Sequence, residues 1–105
     1  MDEVARENKM RLLFIICESS VETHIMDILI KIGCPGYTRF TGSTGYGHNG
    51  RREGSSVWPG LNSIIMSCVP EDMVPAVLEA IEQFNQERAG RLTVKVFSVP
   101  AEEYM

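Results

Sequence analysis

Residues Met10–Glu18 form a nearly unbroken apolar run rich in Ile, Leu and Phe. A short apolar run of this kind predicts a buried β-strand. Ser19 then stands three residues before Glu22, the spacing of a capping box, and Val21, Ile25, Ile28, Leu29 and Ile32 follow at helical intervals. A helix is predicted over about 20–32, ended by Gly33. Pro35 and Gly36 make a turn, and 37–41 has the β-branched and aromatic character of a short strand. Residues 61–69 are again apolar and predict another buried strand. Pro70, Glu71 and Asp72 offer first-turn helix chemistry, with Val74, Val77, Leu78, Ile81 and Phe84 as the apolar stripe and Gly90 as the stop. A final strand is predicted over 92–99, ended by Pro100.

Between the second and third strands the pattern fails. Residues 42–60 hold six of the nine glycines of the chain and show no periodic apolar positions. A connection of that length is usually functional or disordered. The order strand, helix, strand, strand, helix, strand is that of a ferredoxin-like α+β sandwich, βαββαβ, with a long loop between strands 2 and 3. In that topology the first and third strands are central, and they are the most continuously apolar here. Two helices cover one face of a four-stranded sheet, yet these strands carry apolar side chains toward both faces. A second copy of the chain is the expected cover for the open face.

The 105 residues suit a single domain over 1–105, with 1–9 expected as a flexible N-terminal segment. A core this small favours a surface groove or a subunit interface as the site. The net charge of −4 argues against a general nucleic-acid binder. The longest early apolar run is too short to cross a bilayer, and Asp2, Glu3 and Glu7 contradict a basic signal-peptide start. Cytoplasmic residence without membrane insertion is therefore expected. Cys17, Cys34 and Cys68 are odd in number and widely spaced, which suits structural thiols better than a disulfide frame or a metal site.

Gly45-Tyr46-Gly47-His48-Asn49-Gly50 matches G-x-G-x-x-G literally, but no helical pattern follows it and Arg51-Arg52 replaces the Lys-Ser/Thr of a Walker loop. What survives is generic. Glycines let backbone N–H groups approach an anion, and arginines add forked hydrogen bonds. The same stretch reads equally as a solvated loop. Candidate ligand-binding residues are Arg39, Gly42, Gly45, Gly47, His48, Gly50, Arg51 and Arg52, with Arg88 and Arg91 as a second cationic group. His24 reads as packing or surface, and Trp58 as an anchor for the base of the loop. Ser55 and Ser56 lack a neighbouring base and no carboxylate pair stands out. No catalytic residue and no metal ligand is assigned, and a binding protein is expected in place of an enzyme.

The chain resembles the PII-like proteins, relatives of the nitrogen regulatory PII signal transducers. The likeness rests on the element order, the inserted loop, and the runs Gly36-Tyr37-Thr38-Arg39-Phe40 and Val57-Trp58-Pro59-Gly60-Leu61-Asn62-Ser63. The resemblance implies a homotrimer with small effectors, often adenine nucleotides, held in clefts between subunits. It also implies that the long loop, the T-loop of that family, engages a target protein such as a membrane transporter or an enzyme. The glycine-, aspartate- and lysine-containing phosphate loop of nucleotide-binding members has no counterpart, because Glu87-Arg88-Ala89-Gly90-Arg91 runs almost at once into the last strand. Arg88 and Arg91 are the residues that could replace part of it. The context of Tyr46 does not match the modified tyrosine of the family. The alternative reading is a divalent-metal-binding tolerance protein similar to the CutA family, which shares fold and trimer, with His48 and the cysteines as its support.

Overall fold

The computed structural model describes residues 9–43, 45–47, 50–52, 61–88 and 94–105, with only the backbone described at 43, 45–47 and 50–52. Of the N-terminal segment expected to be flexible, 1–8 lie outside the described residues. The apolar run becomes β1, Met10–Glu18, followed by a 3-10 turn, Ser19–Val21, and helix α1, Glu22–Ile32. Then come β2, Thr38–Ser43, the short strands β3, Gly45–Gly47, and β4, Gly50–Arg52, and the long strand β5, Asn62–Pro70. A second 3-10 turn, Glu71–Met73, leads into α2, Val74–Glu87, and β6, Lys95–Ala101, completes the fold.

The four long strands form one antiparallel sheet in the order β2-β5-β1-β6, with β1 and β5 central as their composition predicts. Side chains alternate across a strand. On β1 the odd positions Leu13, Ile15 and Cys17 are buried, and on β5 the odd positions Ser63, Ile65, Ser67 and Val69 are buried. These meet Val21, Ile25, Met26 and Leu29 from the first helical segment and Val77, Ile81 and Phe84 from α2 in one core. Full burial of a Leu, Ile or Val side chain is worth roughly 1.5–3 kcal/mol. A register slip of one residue on β1 would turn that face outward, so the pairing Ile15↔Ile65 is strongly selected.

Gly33 ends α1 in the left-handed region at φ 93, and its N–H reaches the carbonyls of Ile30 and Leu29. Other terminal expectations change. The capping box does not form: Ser19 Oγ lies 3.1 Å from Ser63 Oγ, and Val21 occupies the N-cap of α1 without a side-chain cap. A partner on β5 outcompetes the local backbone. Pro70 closes β5, and the proline in the first turn of α2 is Pro75. Pro100 lies inside β6, since β6 is an edge strand where a missing N–H need cost no ladder hydrogen bond. Residues 89–93, which include Gly90 and the first part of the expected last strand, lie outside the described residues. Within the stretch read as patternless, β3 and β4 pair as an antiparallel ribbon, Gly45↔Arg52, Tyr46↔Arg51 and Gly47↔Gly50.

The even positions form the other face of the sheet. Leu12, Phe14 and Ile16 on β1 stand beside Ile64, Met66 and Cys68 on β5, flanked by Phe97 and Val99 on β6 and Phe40 on β2. In a single chain Phe97 is 57% exposed, Phe40 51% and Val99 44%. This is an aromatic and aliphatic patch on a face that no described helix covers.

Candidate functional site

Where β2 begins, beside the end of β5, an open cleft of about 330 Å³ lies at the edge of the uncovered face. The turn 35–38 supplies one wall through Pro35, Gly36, Tyr37 and Thr38. Leu12 of β1 with Met66, Ser67 and Cys68 of β5 forms the floor, and Glu103 of the C-terminal segment stands at the rim. Sheet pairing brings these segments together, because Thr38 is opposite Met66 and Leu12 is opposite Cys68. Ser67, buried on the helix side, donates from Oγ to the Gly36 carbonyl at 2.5 Å and pins the turn to β5. The lining is largely apolar with a phenol, hydroxyls and a thiol, and among the described residues its single charged side chain is a carboxylate. Such a surface suits a flat, weakly polar ring system.

The expected ligand-binding residues are dispersed. Arg39 follows Thr38, but its side chain turns to the opposite face of β2. There Nη1 lies 3.5 Å from Glu22 Oε1 and 3.5 Å from Met26 Sδ. Glu22 is buried, and its Oε1 has no hydrogen bond, so the pair acts as point charges without a directed N–H···O contact. Gly42 has φ 72 and lies within the register shift between Phe40 and Ser43, where a left-handed residue is needed to bulge the strand. Gly45, Gly47, Gly50, Arg51 and Arg52 make the β3-β4 ribbon. His48 and Arg91 lie outside the described residues, as does Trp58.

Arg88 caps α2 and lies 4.9 Å above the Phe84 ring, which also stacks with His24 at 5.5 Å. This cluster belongs to the helix layer and not to the cleft. Burial pushes the Cys17 thiol up to about 11, with Glu22 and Glu18 adding to the effect, so it stays neutral and inert. Burial raises the Cys34 thiol as well. All three cysteines are free. No group of three His, Cys, Asp or Glu able to hold a metal occurs among the described residues, and no described helix is long and apolar enough to cross a membrane.

The cleft residues were not among the sequence candidates. Gly36, Tyr37 and Thr38 carried the family likeness, but nothing local joins them to Met66, Cys68 or Glu103. Strand alternation does show that Leu12, Met66 and Cys68 share a face, and that was the available signal.

A search of curated proteins found no match. Among solved structures, the chain is similar to CPII, a nitrogen regulatory PII-like protein from Thiomonas intermedia K12 solved with ADP, AMP and bicarbonate. The TM-score is 0.70 at 27% identity, over 89% of this chain and 88% of that one. The apo form of CPII gives a TM-score of 0.63 at 26% identity, covering 89% and 91%. A PII-like signalling protein from Thermus thermophilus shares the fold, with a TM-score of 0.67 at 22% identity, covering 89% and 87%. Residues 10–105 match the family described as nitrogen regulatory protein P-II, and the chain belongs to that family.

Proposed function

We propose that this protein is a regulatory sensor that takes a small anionic effector, an adenine nucleotide, in the cleft walled by 35–38 and passes its occupancy to a target protein through 43–60. The observation that carries the reading is the cleft itself, a largely apolar pocket at the start of β2, the strand that leads into the inserted segment, in a family whose member CPII is solved with ADP and AMP. Leu12, Met66 and Tyr37 would receive the ring, while Thr38 and the backbone of Gly36 offer polar contacts at its edge.

Among the described residues the cleft lining holds no cation, so the phosphates need partners from elsewhere. Arg51 and Arg52 in the inserted segment, and Arg88 and Arg91 of an adjacent subunit, are the groups we assign to that task. The uncovered sheet face supports a homotrimer in which sheets pack at the centre and the clefts are completed between subunits. An effector held at the start of β2 changes target affinity to the extent that it favours the form of the protein that the target binds. We read 1–105 as one domain, acting by binding and not by catalysis, in the cytoplasm.

Calorimetric titration with ADP tests the reading. Wild type is expected to saturate, Thr38→Trp to lose binding by filling the cleft, and Arg51→Ala/Arg52→Ala to weaken it about tenfold or more. ADP affinity unchanged by Thr38→Trp would place the effector outside this cleft.

A further inference from the structure

We infer that Glu103 is the specificity-determining residue of the cleft, its carboxylate accepting hydrogen bonds from the hydroxyl or amine donors of the nucleoside and turning the phosphates away. This deepens the proposed function and rests on it. Among the described residues, Glu103 is the single charged side chain lining the cleft. The residues on either side of it are engaged with each other, since Tyr104 Oη donates to Glu102 Oε2 at 2.5 Å. Glu103 lines the cleft together with Tyr37 and Thr38, whereas Glu102 and Tyr104 do not. Among the described residues no hydrogen bond or ion pair engages the Glu103 carboxylate.

An ionised carboxylate only accepts hydrogen bonds. The groups of an adenine nucleotide that donate are the ribose hydroxyls and the exocyclic amine, while phosphate oxygens are negative acceptors and are repelled. The carboxylate therefore sorts the ligand end for end: the donor-bearing part faces the C-terminal segment, and the phosphates leave along β2 toward Ser43 and the inserted segment that carries Arg51 and Arg52. It also sets a composition rule, because purine rings or nucleosides without a donor at that edge lose the contact.

The test compares wild type, Glu103→Ala, Glu103→Gln and Glu102→Ala by calorimetric titration with adenosine, AMP and ADP. Glu103→Ala is expected to weaken all three by a common factor of about tenfold or more, the worth of a hydrogen bond to a charged group. Glu103→Gln, which keeps one carbonyl acceptor, should fall between, and Glu102→Ala should bind as wild type does. Thermal unfolding of the variants should be unchanged, since the segment is exposed. Adenosine binding unaffected by Glu103→Ala, in a protein whose ADP binding is lost in Thr38→Trp, overturns this inference and leaves the proposed function standing. Equal losses in Glu102→Ala and Glu103→Ala also overturn it, as they would reflect the segment and not the carboxylate. Failure of wild type to bind any of the three overturns both readings.

Discussion

Removing the Arg39 guanidinium leaves the Glu22 carboxylate buried without its counter-charge, and the cost can be bracketed from the geometry. At 3.5 Å and an effective dielectric of ~20, the gross attraction is about 5 kcal/mol. Solvent screens much of this, because the Arg39 side chain is 51% exposed while that of Glu22 is 11% exposed. Fully exposed pairs are worth about 0–1 kcal/mol, whereas stripping one partner from a buried pair costs roughly 3–5 kcal/mol. A half-exposed pair lies between, so Arg39→Ala should cost about 1–3 kcal/mol. Loss of the Arg39 contact with Met26 Sδ contributes to the same number and must be separated. A double-mutant cycle with Glu22→Gln does so, because glutamine keeps the shape and removes the charge. Urea unfolding of the four proteins should show Arg39→Ala costing at least about 1 kcal/mol less in the Glu22→Gln background than in the wild-type background. Equal costs in both would show that Arg39 acts through packing alone, and the electrostatic tie between α1 and the start of β2 would be refuted.

Further outcomes follow from the sheet and its core. If the uncovered face is an interface between copies, Phe97→Lys places a charge in its middle and should shift sedimentation equilibrium from trimer toward monomer, with the monomer retaining its helical circular dichroism; an unchanged trimer would remove Phe97 from the interface. The Cys17 thiol, raised by burial from 9.0 to about 11, contributes stability that is fully present below pH 9 and lost as pH rises through 11, since the unfolded chain ionises first. Unfolding free energy should therefore fall between pH 9 and 11, and Cys17→Ala should flatten that slope.

The parts of the fold legible in the sequence are those where local chemistry and global packing agree. β1 could be bounded to the residue because its apolar run is flanked by polar positions on both sides, and Gly33 could be named as a stop because a left-handed residue ends the helix there. Ser19 misled because a hydroxyl that fits a capping box was claimed by Ser63, 44 positions away. Pro100 misled for a related reason: its tolerance depends on β6 lying at the sheet edge, which is a property of the strand order and not of the residue. The β3-β4 ribbon carries no period because three of its six residues are glycines, so only cross-strand pairing reveals it.

The candidate site was less legible still. Arg39 stands among the sequence candidates for ligand binding, but alternation along β2 points it at Glu22 and away from the cleft. The cleft is assembled from a turn, two central strands and the C-terminal segment, and only their antiparallel pairing makes them neighbours. A motif search has nothing to detect in residues that lie some thirty positions apart and whose types are ordinary.

The central claim is that an adenine nucleotide occupies this cleft, and residue-resolved chemical-shift mapping during an ADP titration tests it most directly. The account predicts saturable shifts concentrated at Gly36, Tyr37, Thr38, Met66, Cys68 and Glu103, with Ile30 and Leu78 on the outer surfaces of the helices unmoved. Shifts that fail to saturate, or that gather around Arg88, Phe84 and His24 while 36–38 stay still, would contradict it.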